Sequence, residues 1–194
     1  MIRLSDERGG VIGKLLGILV VLAVCASAAV YVYGKTQEPL SVDIAHTATS
    51  DGEREPAVIG VAPHRSVYVA TIVRNEGRLP VTLEGISTAA TDASQPYVAT
   101  SMTLGDGKTA TPTGGTFVAP SLDPGTGVGV VVTYTINPNL DCSSYARHPS
   151  GPVPFPPLPV RLSTYGVDAD QDLEFQVVPK IGGITSASCE RALG

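Results

Sequence analysis

The chain has 194 residues, of which 16% are charged, and its formal net charge is −5 at pH 7. Asp and Glu outnumber Lys and Arg by 18 to 13, which argues against nucleic acid as a partner, because nucleic-acid-binding surfaces are basic. The length suits one domain with its own hydrophobic core and a shorter segment beside it.

Residues 15–33 form an apolar stretch, LLGILVVLAVCASAAVYVY, without a charged side chain or a proline. As a helix that rises about 1.5 Å per residue, the stretch spans roughly 28 Å, close to the hydrocarbon thickness of a bilayer. Arg3, Arg8 and Lys14 precede it. Only Lys35 follows it closely, and such a bias keeps the N-terminus in the cytoplasm. The sequence therefore predicts a cytoplasmic tail (1–14), a transmembrane helix (15–33), a tether (34–38) and an extracytoplasmic domain (39–194).

Two other interpretations of this stretch stay open. Ala26-Ser27-Ala28 has the small-residue spacing that signal peptidase accepts, so the stretch could be a signal peptide that is cleaved. Against cleavage, the apolar run exceeds the usual length of about 7–15 residues and continues through Tyr33. Lipidation of Cys25 requires a small residue before it, and Val24 fits poorly. All three interpretations put the domain on the same side of the membrane.

Cys142 and Cys189 are the only cysteines beyond the apolar stretch, which itself holds Cys25. In an oxidising compartment two such cysteines usually form one disulfide, and a loop of this size gains about 4 kcal/mol at most from the cross-link. A reactive thiol needs neighbours that stabilise the thiolate, and neither NLDCSSY nor SASCERA contains them. The sequence therefore predicts a structural disulfide between Cys142 and Cys189.

The rest of the chain has short runs of Val and Thr with the period of two that is typical of β-strands. Gly127–Ile136 alternates most clearly, and Leu158–Ser163 alternates in the same way. Ser66–Arg74 is apolar on both faces, which predicts a central strand covered on both sides or a strand that crosses the sandwich core. The other candidate strands are Leu40–Ile44, Val58–Ala62, Leu79–Leu83, Val98–Leu104, Phe117–Val118 and Leu173–Val177.

Turn signals separate these runs. Asn75-Glu76-Gly77 predicts a turn that joins Ser66–Arg74 to Leu79–Leu83 as a hairpin. Asp168–Asp172 predicts a second turn that leads into the strand Leu173–Val177, and the tail that contains Cys189 has no periodic pattern. Seven or eight short strands without helical periodicity predict an all-β fold, an antiparallel β-sandwich after one N-terminal helix.

The segment TIVRNEGRLPVT, residues 71–82, resembles the hairpin of immunoglobulin-like adhesion-type modules, in which a strand ending in Asn-x-Gly precedes a Val-Thr strand. A short basic tail, one anchor and such a domain together resemble small single-pass membrane proteins of unknown function from high-GC Gram-positive bacteria. The resemblance implies an immunoglobulin-like β-sandwich outside the cytoplasmic membrane. It implies no functional residues, because a fold does not fix a function.

Candidate catalytic and metal-binding residues are few. No Gly-x-Ser-x-Gly or Ser-x-x-Lys motif is present, and the three histidines are far apart in sequence. These histidines are His46, His64 and His148.

Asp168, Asp170 and Asp172 alternate as the first ligands of a calcium loop do. An EF-hand would need Gly and Glu at the positions of Leu173 and Pro179, which favours an acidic surface segment.

These observations lead to three hypotheses. The first is a non-catalytic module without a cofactor that is held at the membrane and contacts an envelope protein or polymer; the sequence does not fix its oligomeric state. The second is an extracytoplasmic enzyme built on His64, His148 or Cys189. The third is a module that binds a small ligand or calcium.

Overall fold

The computed structural model describes residues 7–49, 58–60, 66–87, 95–110, 115–143, 153–175, 180–182 and 186–193. Its elements are α1 (Glu7–Thr36), β1 (Leu40–Thr49), β2 (Val58–Gly60), β3 (Ser66–Asn75), β4 (Val81–Ile86), β5 (Tyr97–Leu104), β6 (Ser121–Leu122), β7 (Gly127–Ile136), β8 (Val153–Pro154), β9 (Leu158–Thr164), β10 (Val167–Leu173), β11 (Lys180–Gly182) and α2 (Ser186–Leu193). The protein is mostly β with one apolar helix at its N-terminus, as the sequence predicts.

Two antiparallel four-stranded sheets make up the body of the domain. The strand order is β1-β3-β7-β5 in the first sheet and β10-β9-β4-β6 in the second. A third and smaller sheet has the order β2-β11-β8, in which β2 and β11 run parallel. Inward-facing side chains of the two large sheets form one core cluster.

The core follows the alternation of the sequence. Val130, Val132 and Tyr134 of β7 are fully buried, and Leu158, Val160 and Leu162 of β9 lie in the same core cluster. The ring of Tyr134 packs edge-on against Phe155, with 5.1 Å between the ring centroids. Because such alternation puts every second side chain on one face, these strands could be predicted from their period alone.

A loop, Gly105–Thr109, lies over part of the outer face of the first sheet, and we call it the covering loop. The N–H of Gly105 donates a hydrogen bond to the carbonyl of Gly129 in β7, at 2.9 Å. A Cβ at Gly129 would lie within 2.6 Å of backbone atoms of this loop, so only glycine fits there. Ala70 and Val131 on that face are buried. The prediction that Ser66–Arg74 is a central strand is confirmed, because β3 lies between β1 and β7.

The predicted hairpin of β3 and β4 is wrong. β3 belongs to the first sheet and β4 to the second, so the turn after Asn75 carries the chain from one sheet to the other. The Nδ2 group of Asn75 donates to the carbonyls of Leu79 (2.9 Å) and Leu122 (2.8 Å), and its Oδ1 accepts from the N–H of Gly77 (2.9 Å). These bonds bind the turn to β6, which lies in the other sheet.

Three further details differ from the sequence prediction. Asp168–Asp172 lies within β10, which ends at Leu173, and the turn before it is Tyr165-Gly166. Phe175 is not in a strand, and Val177 lies outside the described residues. The short edge strand is Ser121–Leu122 and not Phe117–Val118. The C-terminal tail is not featureless, because α2 forms there and buries Cys189.

Candidate functional site

The C-terminal end of α1 packs directly on β10, through residues that the sequence predicted to be a tether. Gly34 is buried, and a Cβ at this position would lie 3.1 Å from Cγ1 of Val167. The ammonium group of Lys35 donates a hydrogen bond to the carbonyl of Asp168. The helix ends only at Thr36. We call this contact between α1 and β10 the junction.

Two hydrogen-bonded contacts extend the junction into the sandwich. The hydroxyl of Tyr33 accepts a hydrogen bond from the N–H of Arg78, in the turn between the sheets, at 3.3 Å. The side-chain amide of Gln171 accepts from the N–H of Leu40 at 3.1 Å and donates to the carbonyl of Leu40 at 2.7 Å. The side chain of Gln171 thus forms hydrogen bonds with both the N–H and the carbonyl of Leu40, as the backbone of a neighbouring strand would. The helix therefore enters the sandwich without a free linker.

The surface of α1 is apolar along its length. Within the described part of the chain, Lys14–Thr36 is the one helix that is long and apolar enough to cross a membrane, and an N-terminal signal sequence would be so as well. None of its most apolar stretch is buried against the protein. Leu15, Leu16, Ile18, Leu19, Val20, Val21, Leu22 and Val24 are all exposed. Such a surface needs an apolar partner, because exposed apolar area of this extent is unfavourable in water.

The strand directions define two ends of the sandwich. β1 leaves the junction at Leu40, which lies opposite Asn75, the last residue of β3. β7 begins beside that residue at Gly127 and runs away from the junction to Ile136. We call the end at the junction the proximal end and the opposite one the distal end, where the chain continues from β7 to Cys142.

A disulfide between Cys142 and Cys189 fastens the distal end. Their Cα atoms are 5.6 Å apart, and Cys189 is 1% exposed. The bond that the sequence predicts is therefore present, and it joins α2 to the chain after β7. Its sulfur atoms are not free thiols, so Cys189 offers no thiolate nucleophile. Cys25 is a free cysteine on the exposed surface of α1.

Among the described residues, the predicted catalytic candidates are represented by His46 and the disulfide-bonded Cys189, and the predicted calcium ligands are spread along one strand. His46 lies in β1, whereas His64 and His148 lie outside the described residues. Asp168, Asp170 and Asp172 lie on the exposed face of β10, where alternate positions are about 7 Å apart. No three His, Cys, Asp or Glu side chains are grouped to hold a metal ion in the ranges that the structure describes.

The edges of the two sheets differ in how they are protected against pairing with another chain. β10 carries its three aspartates, of which Asp170 lies 3.4 Å from Nε of Arg161, and β6 is only two residues long. The start of β1 is capped by Gln171. β5 has eight residues, YVATSMTL, without a charge or a proline, and Thr100 and Ser101 on it are exposed. Among the described strands β5 pairs with β7 alone. It is the edge that lacks the charges with which proteins discourage pairing.

Sequence reasoning missed the residues of the junction. Gly34 ends an apolar run, and a glycine at such a position does not indicate a packing contact unless the residue that packs against it is known. Gln171 gave a weak signal, because it interrupts the inward alternation of Val167, Ala169 and Leu173 in β10.

Comparison with known proteins adds no relative to this geometry, because neither a protein-family model nor a curated protein matches the chain. Its function is therefore inferred from the junction, the distal disulfide and the edges of the sheets.

Proposed function

We propose that this chain is a single-pass membrane protein that holds an immunoglobulin-like β-sandwich on the extracytoplasmic side and acts there, without catalysis, by contact with an envelope protein or polymer. The observation that carries the proposal is the junction. An exposed apolar helix passes into the sandwich through a buried glycine, Gly34, and a lysine bonded to β10, Lys35. A domain held in this way has a fixed direction with respect to the membrane.

Two features support the extracytoplasmic side. The basic residues Arg3, Arg8 and Lys14 precede the apolar stretch, and cytoplasmic flanks are enriched in such residues. The disulfide between Cys142 and Cys189 fits an oxidising compartment, because cytosolic thiols are kept reduced.

The immunoglobulin-like character is supported by the two packed antiparallel sheets and by the crossing of the chain between them. The turn that follows β3 connects the sheets, and Asn75 fastens it.

The edge of β5 is the surface that best suits contact with a protein. An extended segment can add to such an edge through main-chain hydrogen bonds, and no charge on β5 opposes it. β5 lies on the far side of the first sheet from β1, so the junction does not obstruct it.

Antibody access tests the topology. In intact spheroplasts, an antibody should bind an epitope at the C-terminus, and it should reach an N-terminal epitope only after permeabilisation. The reverse pattern would contradict the orientation. A mature protein that begins near Ala29 would establish cleavage and remove the anchor.

Site-specific photo-crosslinking in the native membrane tests the contact. A crosslinking residue at Thr100 in β5 should give a discrete adduct, whereas one at Asp170 in β10 or at the exposed Glu84 in β4 should not. Ser101→Lys should abolish the adduct from Thr100, because a lysine on an edge strand opposes pairing. Equal adducts from all three positions, or an adduct that persists with Ser101→Lys, would refute contact through this edge.

A further inference from the structure

The hairpin of β9 and β10 ends in an unusual loop. The strands pair as far as Thr164 and Val167, so the loop consists of Tyr165 and Gly166 alone. Both have positive φ, 48° and 79°, as in a type I′ turn, for which Asn-Gly is the favoured pair. A tyrosine at the first position is strained, because its Cβ crowds the backbone there. Its side chain is 66% exposed. Its packing within the sandwich therefore does not explain the tyrosine.

The register of the junction gives the position of this loop along the axis of α1, which we call its height. Val167 lies against Gly34, and the carbonyl of Asp168 lies at Lys35. Further on, Gln171 lies at Leu40, so β10 and the end of α1 run in the same direction. The loop precedes β10 and must therefore lie beside helix residues that precede Gly34.

The height can be stated in helical residues. Because Thr164 pairs with Val167, Tyr165 and Gly166 each lie about one strand residue beyond that pair, roughly 3.4 Å, which equals the rise of about two helical residues. Tyr165 is thus level with roughly residues 31–32 of α1, within the last turn of the apolar stretch. Tyr31, 58% exposed, and Tyr33 lie at nearly the same height. Tyrosine is enriched where a membrane meets water, because its ring is apolar and its hydroxyl is polar.

We infer that Tyr165 inserts its ring into the headgroup region of the bilayer that α1 spans, so that the sandwich contacts lipid at the tip of the β9–β10 hairpin as well as through the helix. The inference rests on the proposed membrane span. The occupant of this surface is the phospholipid bilayer itself, because the exposed tyrosine lies at the height where the apolar surface of α1 ends.

Fluorescence of single tryptophans tests the inference in the full chain, which contains no natural tryptophan. Tyr165→Trp, Tyr31→Trp and Val118→Trp are each reconstituted into phosphatidylcholine vesicles with doxyl groups at a shallow or a deep position of the acyl chain. Val118 is the matched control, since it is an equally exposed apolar residue, 69% exposed, before β6 at the opposite edge of the second sheet.

We expect Tyr165→Trp to show a blue-shifted emission and to lose about as much intensity to the shallow doxyl lipid as Tyr31→Trp does. Val118→Trp should be quenched by aqueous iodide and not by either lipid. Quenching of Tyr31→Trp without quenching of Tyr165→Trp would overturn the inference and leave the membrane span standing. Protection of Tyr165→Trp from both iodide and lipid would also overturn it, because a protein would then cover the tip. If Tyr31→Trp escapes the lipid quencher, the proposed span is itself wrong and the inference falls with it.

Discussion

Asn75 uses all of its hydrogen-bonding groups at the point where the chain leaves one sheet for the other. Its side chain makes three hydrogen bonds, its N–H donates to the carbonyl of Thr126 at 2.8 Å, and its carbonyl accepts from the N–H of Gly125 at 2.7 Å. It is completely buried. A single residue thus holds the ends of β3, β6 and the turn before β7 together.

Asn75→Ala should therefore lower the free energy of unfolding by about 2–4 kcal/mol, because the carbonyls of Leu79 and Leu122 would lose their partner. Denaturant titration of the full chain in detergent micelles measures this change. Asn139→Ala is the control, since Asn139 is exposed, and it should change stability by less than about 0.5 kcal/mol. Equal effects of the two variants would show that the bonds of Asn75 contribute little.

In contrast to the polar groups of Asn75, the buried hydroxyl groups of Tyr134 (Oη) and Thr71 (Oγ1) have no hydrogen-bond partner within the described part of the chain. Burial raises the pKa of the Tyr134 hydroxyl far above its ordinary value, so this group stays neutral. An unpaired hydroxyl in a core costs stability, because it has lost its bonds to water.

Tyr134→Phe and Thr71→Val should accordingly leave the free energy of unfolding unchanged or raise it by up to about 1 kcal/mol, since each removes the hydroxyl and keeps the shape. Thermal unfolding measures both, with Val132→Ala as a comparison that should cost about 2 kcal/mol through the cavity it leaves. A loss above about 1 kcal/mol for Tyr134→Phe would reveal a partner for this hydroxyl.

The junction depends on the absence of a side chain on one helical residue. Gly34→Leu should force α1 away from β10, because even a Cβ would crowd Val167. Hydrogen–deuterium exchange should then become faster in β10 and at the start of β1. Gly17→Leu is the matched control on the same helix, where nothing lies within 4 Å, and exchange should not change. If Gly34→Leu leaves exchange in β10 unaltered, the helix and the sandwich are not coupled.

The covering loop contains a carboxylate whose charge is stabilised by its surroundings. The pKa of Asp106 lies below its usual value because the N–H groups of Lys108 and Thr109 and the hydroxyl of Thr109 donate to it. A lowered pKa means that this contribution to stability is present above the unfolded-state pKa and is lost as the pH falls through the folded-state pKa.

The covering loop should therefore open as the pH drops below about 4, with faster amide exchange at Gly105 and in β7 around Gly129. Asp106→Ala should make exchange there fast at neutral pH and remove this part of the pH dependence. Persistent protection of the loop at low pH would contradict the role of the carboxylate. Asp123→Ala serves as the control, since Asp123 is also exposed.

Local patterns predicted the strands, and contacts between distant segments decided how they are arranged. The alternation of β7 and β9 is a property of consecutive residues, so it could be read directly. Asn75-Glu76-Gly77 does predict a turn, but whether the next strand joins the same sheet depends on Leu122, 47 residues later. The alternating aspartates of β10 resembled a polar turn because an exposed edge strand also carries charges at every second position.

The junction could not have been predicted from the sequence. Its contacts join α1 to β10 across more than 130 residues, such as the 133 between Lys35 and Asp168. Gly34 permits the contact because it has no Cβ, and a single glycine contributes to no hydrophobic pattern that could be recognised in the sequence. The helix α2 was missed because it has only eight residues and is held by its disulfide.

On the scale of the whole molecule, the sandwich is fixed at both ends, by α1 at the proximal end and by the disulfide at the distal end. Cys142→Ala and Cys189→Ala should each lower the free energy of unfolding by about 2–4 kcal/mol. The double variant should be no less stable than either single one, because both remove the same bond.

Denaturant titration measures these losses, and thiol counting provides the control. The purified chain should contain one reactive thiol, that of Cys25, and each single variant should contain two. Three reactive thiols in the unmodified chain, or losses that add in the double variant, would contradict the disulfide.

The direction of β1 determines how the domain resists a pull. In the proposed topology, a partner that draws the distal end away from the membrane applies tension along the strand axis, because α1 leads into β1 at the proximal end. The hydrogen bonds between β1 and β3 lie across that axis, so the tension acts on them in shear and loads them together, rather than opening them one after another from the end. Oriented in this way between a membrane and a moving partner, the sandwich would transmit force instead of yielding to it.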